Sequence, residues 1–178
     1  PLSASREKFN YNNVLFLASG LATANAAGAD NWDSLLEERI LSPLNMSQSS
    51  SINDQVKNLA LGYHWDHINQ QYTVLEKRNL DNIAPAGGLH SNAIDMAKWL
   101  RFNLNRGEFE GQRLLAATEF EQLWKPTISL SKGYHYGLGW FIRDWKGNKV
   151  VEHGGNIQGY AAQVALMPDK NIGFALLT

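Results

Sequence analysis

The chain has 178 residues, 44% hydrophobic and 19% charged, with a formal net charge of −1. That length suits one domain with a sizeable core, and near-neutrality excludes the strong field expected of a protein that binds nucleic acid or an anionic membrane. With no cysteine, disulfides and thiolate metal sites are excluded; an oxidising compartment is permitted and not required. No run approaches the roughly 18 apolar residues of a membrane helix.

From about Tyr11 to Ala27, Val14, Leu15, Leu17 and Leu21 with several alanines predict a helix, stopped by Gly28. Leu35, Leu36 and Ile40 predict a second helix over Trp32–Leu41, ended by Pro43. The serine-rich stretch 47–51 reads as a loop. Between 52 and 84 only Leu59–His64 and Gln71–Leu75 suggest short strands or extended loops. Pro85-Ala86-Gly87-Gly88-Leu89 predicts a tight turn. Ser91 then reads as the cap of a helix that carries Ile94, Met96, Ala97, Leu100 and Leu104. A further helix is expected over Ala117–Trp124.

After Gly133 the period changes from helical to alternating. Tyr136–Ile142, Lys149–His153, Tyr160–Met167 and Ile172–Leu177 predict an antiparallel meander, with turns at Trp145–Asn148 and Pro168–Asn171. The chain opens on Pro1 with no initiator methionine or signal peptide. It closes on an apolar strand pattern that lacks a turn or polar tail. Such a strand needs neighbours on both sides, so the expectation is a piece of a larger domain.

Two short motifs carry chemistry. Tyr11-Asn12-Asn13 is a Tyr-x-Asn at a helix start. A tyrosine there ordinarily just packs, but a phenol beside a lysine ammonium can ionise more easily. Its phenolate can then take the proton of a serine hydroxyl and return it to a leaving group. The amide of Asn13 would orient substrate or the lysine. His153-Gly154-Gly155 lies between two strand patterns, where the plain reading is a glycine-rich bend. The chemical reading is a strand edge cleared for substrate, with the N–H of Asn156 as an oxyanion donor.

An α/β-hydrolase oxyanion loop also reads His-Gly-Gly, but no Gly-x-Ser-x-Gly elbow accompanies it here. Ser5…Lys8 and Ser129…Lys132 match Ser-x-x-Lys. Neither stands where a buried helix start is expected, and both read as coincidences. His64 and His67 flank Trp65-Asp66 in a polar loop, and no metal or other cofactor is expected.

Several blocks together are more specific than either motif. Phe9–Asn13, Ile40–Met46, Pro85–Ser91 with Asp95-Met96-Ala97, Tyr136–Trp140, and His153–Gly155 through Gly159-Tyr160 to Met167–Asp169 follow one another in order along the chain. In this order the sequence resembles the serine beta-lactamase-related family: class C beta-lactamases, D-aminopeptidases, penicillin-binding-protein-like peptidases and esterases of that fold. The resemblance implies an α+β, beta-lactamase/transpeptidase-like fold. Residues 1–178 would be part of one such domain, with a mainly helical region over 1–132 and antiparallel strands over 133–178.

It also implies a serine hydrolase that forms an acyl-enzyme on an ester or a small peptide or amide. Tyr11 would be the base, with Asn13 and His153 in the second and third catalytic motifs. Gly155 and Asn156 would bind substrate, and the nucleophilic Ser-x-x-Lys would lie upstream, leaving this chain inactive alone. A periplasmic or extracellular setting is likewise implied. The alternative is a binding or structural module that keeps the scaffold without the nucleophile; the residues encoded upstream of Pro1 discriminate the two.

Where classical beta-lactamases of this resemblance carry Lys-Thr-Gly, this chain has His153 and Gly154, lacking the cation and hydroxyl that hold a substrate carboxylate. His153→Lys in the intact protein is therefore expected to raise beta-lactam turnover. Unchanged nitrocefin hydrolysis would count against the carboxylate argument.

Overall fold

The computed structural model describes residue 4 and residues 7–178. Helices α1 (Asn13–Ala26) and α2 (Trp32–Leu36) come first, and α2 runs on into a π-helical turn, Glu37–Leu41. A small hairpin, β1 (Tyr63–Asp66) and β2 (Gln71–Val74), precedes the short α3 (Ala84–Gly87) and the longer α4 (Ala93–Leu104). A two-residue hairpin, β3 (Glu108–Phe109) and β4 (Gln112–Arg113), leads to α5 (Ala117–Leu123). The chain ends in six strands: β5 (Ile128–Ser131), β6 (Tyr134–Tyr136), β7 (Phe141–Trp145), β8 (Asn148–Ile157), β9 (Tyr160–Met167) and β10 (Ile172–Leu177). They form one sheet in chain order, the meander expected from the alternating pattern. No helix among the described residues is long and apolar enough to cross a membrane.

Contacts divide the chain into two units. The first comprises Pro1–Tyr11, Met96–Gly154 and Gln163–Leu176. Its core is aromatic: Phe120 packs edge-on against Trp124 at 4.8 Å and against Phe102 at 6.2 Å. Arg106 and Lys149 each lie 5.7 Å from the Trp124 ring centre, where cation–π attraction adds to packing. Val151 and Leu166 are buried with them from the sheet.

The second unit comprises Asn12–Asp95, Gly155–Ala162 and Leu177–Thr178. Leu36, Leu41, Leu44 and Met46 are buried there beside a polar knot. The carboxylate of Asp95 accepts from Gln48 N–H at 2.8 Å and Ser49 Oγ at 2.9 Å, and Ser49 Oγ lies 2.7 Å from Ser91 Oγ. A buried carboxylate must be met by donors in this way, so the knot fixes loop 47–51.

Several sequence expectations change, and the strand expected over Lys149–His153 runs on to Ile157, so that His153-Gly154-Gly155 lies within β8 rather than between two strands. The cap of α4 is Asn92, whose Oδ1 accepts from Asp95 N–H, because Ser91 is engaged by Ser49. On α4, Ile94 and Ala97 face outward while Asp95, Met96, Leu100, Phe102 and Asn103 are buried; the inward face follows the polar knot as well as apolarity. The single strand expected over Tyr136–Ile142 is two strands joined by a turn. Gly139 takes φ +78° there, Gly137 N–H donates to the Trp140 carbonyl, and a Cβ on Gly137 would lie 2.6 Å from the Leu123 carbonyl oxygen. Apolar residues continue through this turn, which hid it from a pattern reading. Finally, the tight turn over 85–89 is the helical turn α3 followed by Gly88 at an ordinary φ of −90°.

Helix α1 carries apolar residues all round rather than in one stripe, and Val14 and Leu15 are 71% and 66% exposed. It is held through Gly20, where a Cβ would sit 2.4 Å from Pro85 Cβ. Alanine gains about 1 kcal/mol over glycine in a helix, whereas overlap with a rigid ring costs about 1–3 kcal/mol, and overlap wins. Gly20→Ala should lower the unfolding midpoint in chemical denaturation, and an unchanged midpoint would show that Pro85 gives way to the added methyl.

Candidate active site

Each site residue owes its position to local sequence. Asn12 caps α1, its Oδ1 accepting from Leu15 N–H at 3.1 Å, so Tyr11 leaves the helix in an extended approach and Asn13 becomes the first helical residue. Phe9 anchors this approach against the sheet, with ring centres 4.9 Å from Tyr136 and 6.0 Å from Phe141. Tyr136 and Phe141 are cross-strand partners on β6 and β7, and their rings meet edge-on at 4.8 Å.

His153, on β8, lies against the same cluster. Its ring centre is 5.5 Å from Phe141, 6.4 Å from Tyr136 and 6.1 Å from Tyr11. The two motifs from opposite ends of the sequence, Tyr11 and His153, are thus brought together within one unit. Tyr11 is 48% exposed. His153 Nδ1 lies 2.6 Å from the Gly154 carbonyl oxygen. An oxygen that can only accept requires Nδ1 to carry the proton, so neutral His153 presents the lone pair of Nε2. That is an acceptor, the opposite of what a lysine would offer.

Asn13, Gly155 and Asn156 belong to the second unit and all three are exposed. The tip of the β8–β9 hairpin, which carries Asn156, is fixed by close backbone approach. Gly159 takes φ +83°, and a Cβ on it would lie 2.8 Å from Gly62 Cα. Tyr63 N–H donates to the Gly159 carbonyl, and Tyr160 Oη donates to the Ala60 carbonyl at 2.8 Å. Gly155 differs from Gly159. Its φ is not positive, and a Cβ would meet only Ala162 Cβ at 4.0 Å, so nothing in the fold requires glycine there.

Of the two Ser-x-x-Lys matches, Ser5 lies outside the described residues. Ser129 lies on β5, its Oγ donating to the Ser131 carbonyl, with Lys132 in the following turn. A serine on a strand with its lysine in the next turn lacks the single helical turn that would set the two side chains together.

Sequence reasoning missed the ring cluster of Phe9, Tyr134, Tyr136 and Phe141. A signal existed in the i, i+2 spacing of Tyr134 and Tyr136, which places both on one strand face. Near the cluster Arg143 pairs with Glu152 at 2.7 Å. Burial and the Glu152 charge both push the Tyr134 phenol up, and Arg143 opposes them. The Tyr136 phenol is pushed up to about 12, first by burial and then by Tyr11.

The sequence model of the beta-lactamase family matches residues 1–178. The chain is 27% identical to an unguisins hydrolase of Aspergillus campestris, over 97% of this chain and 33% of that protein. It is 30% identical to beta-lactamase-like protein 2 of Dictyostelium discoideum, over 95% of this chain and 30% of that one. It thus spans about a third of the length of these curated relatives. Among solved structures, an octameric penicillin-binding protein homologue from Pyrococcus abyssi superposes with a TM-score of 0.85 at 26% identity, covering 97% of this chain and 39% of that one.

If Gly155 serves a ligand rather than the fold, Gly155→Ala should leave the unfolding midpoint unchanged or slightly raised. A clear fall in thermal denaturation would assign the glycine to the fold.

Proposed function

The chain belongs to the beta-lactamase family, and from that premise we propose that it is part of a serine hydrolase acting through an acyl-enzyme on an ester or a small peptide or amide. The observation that carries this reading is the Tyr11 ring beside the His153 ring, centres 6.1 Å apart. In the proposed cycle the nucleophilic serine and its lysine come from residues beyond these 178. Tyr11, as phenolate, takes the serine proton while the serine oxygen bonds to the substrate carbonyl carbon. The carbonyl electron pair moves to oxygen, held by the N–H of Asn156 and by the nucleophile's own N–H. Collapse of this adduct expels the alcohol or amine, which receives the proton from Tyr11. Water then repeats the sequence and frees the acid. Asn13 orients substrate or the lysine, Nε2 of His153 accepts from the substrate, and Gly155 leaves room along the strand.

Residues 1–178 are proposed as part of one larger beta-lactamase-like domain, 1–132 mainly helical and 133–178 stranded. The short share of the relatives' length supports this, as do the exposed apolar residues of α1 and the exposed Ile172, Phe174 and Leu176 of β10, which further structure would cover. The second reading, a binding module without a nucleophile, draws on Ser129 lying on a strand.

In the intact protein, Tyr11→Phe should lower kcat/KM by about 10²–10⁴-fold with KM nearly unchanged. A fluorophosphonate probe should label one serine in a Ser-x-x-Lys outside this chain. No adduct would favour the binding module, and an adduct on Ser129 would overturn the assignment of the nucleophile.

A further inference from the structure

The β1–β2 hairpin sorts its side chains by face. Its register pairs Tyr63 with Val74 and Trp65 with Tyr72, alternating with His64–Thr73 and Asp66–Gln71. Successive side chains of a strand point to opposite faces, so one face is aromatic and apolar and the other is polar. An apolar sheet face ordinarily lies against a core. Here all four of its residues are exposed, and Tyr72 is 71% exposed. The rings nonetheless hold one another, since Trp65 meets Tyr72 edge-on with centres 4.9 Å apart. Each has only two side-chain torsions, so a rigid contact surface is formed here at low entropic cost.

The hairpin is fixed to the segment that carries the candidate oxyanion donor. Tyr63 N–H donates to the Gly159 carbonyl at 3.3 Å, and Tyr160 Oη donates to the Ala60 carbonyl at 2.8 Å. A Cβ on Gly62 would lie 2.8 Å from the Tyr160 ring, so the β8–β9 tip and the root of β1 are locked together. Asn156 stands three residues before Gly159, at most about 11 Å away along the backbone. Area decides the kind of occupant. Two strands of four residues, at about 3.4 Å per residue and about 4.8 Å between strands, offer roughly 130 Å² of face. A stable protein partner needs about 800 Å² from each side, whereas a single ring fits. We propose that Tyr63, Trp65, Tyr72 and Val74 form the wall that receives an apolar ring of the substrate, so that the preferred ester or amide carries an aromatic group close to its carbonyl. Small-molecule sites combine an apolar lining with a few placed polar groups; the wall supplies the first and Asn156 the second. The inference rests on Asn156 serving the substrate carbonyl.

Methyl acetate, methyl phenylacetate and benzyl acetate test it on the intact protein, the last two carrying the ring on the acyl and on the leaving side. One ring ester should exceed methyl acetate in kcat/KM. Trp65→Ala should lower that ring ester about tenfold further than methyl acetate, mainly through KM. Trp65→Phe should keep most of the preference, and Tyr72→Ala should lose part of it. Three results would overturn the proposal: no ring preference in the unaltered protein, equal losses on all the esters, or a lower thermal midpoint with the preference intact. The last would show that protein, and not substrate, covers this face. A second readout is independent of turnover. With 5-fluorotryptophan in place of Trp65, phenylacetate should shift the ¹⁹F resonance where acetate does not, and an unmoved resonance would overturn the wall. Should all the esters stay intact while phenylacetate still moves the resonance, the acyl-transfer reading fails and the ring site stands.

Discussion

The candidate chemistry depends on Phe9. Its ring lies against Tyr136 and Phe141, and that contact holds the segment before α1 to the sheet and sets Tyr11 beside His153. Each aromatic pair adds about 0.5–1.5 kcal/mol beyond burial, while fixing a backbone residue costs about 1–2 kcal/mol. For the few residues of this approach the two are of the same size. The segment is therefore held by a small margin, and the cap made by Asn12 matters because it shortens the length left to be ordered.

The backbone supplies the second constraint. The β7–β8 hairpin turns through Lys146 and Gly147, both at positive φ, the geometry that matches strand twist. At the far end of β8 the approach of Gly159 to Gly62 fixes the hairpin tip. Pairing of β8 with β7 sets His153 against the ring cluster. Gly155, with open space where its side chain would be, is not required by the fold.

Charge plays a local part. The ring cluster offers His153 no cation, and the Gly154 carbonyl fixes the proton on Nδ1. The neutral ring thus presents an acceptor at Nε2. The ion pair of Arg143 and Glu152 acts on the Tyr134 phenol with opposing signs.

The sequence by itself determined the α+β order, the meander and the collinear blocks that identify the family, because strand alternation, glycine turns and helix stops act over a few residues. It also singled out Tyr11 and His153, since their motifs are local. Only the tertiary structure decided that these two meet, that Asn92 rather than Ser91 caps α4, and that Tyr136–Ile142 is broken in two. Those outcomes turn on Ser49 taking Ser91, on Leu123 crowding Gly137, and on Phe9 packing against Tyr136. Contacts between residues far apart in the chain leave no periodic trace in the sequence, and so they were decided only when the chain folded.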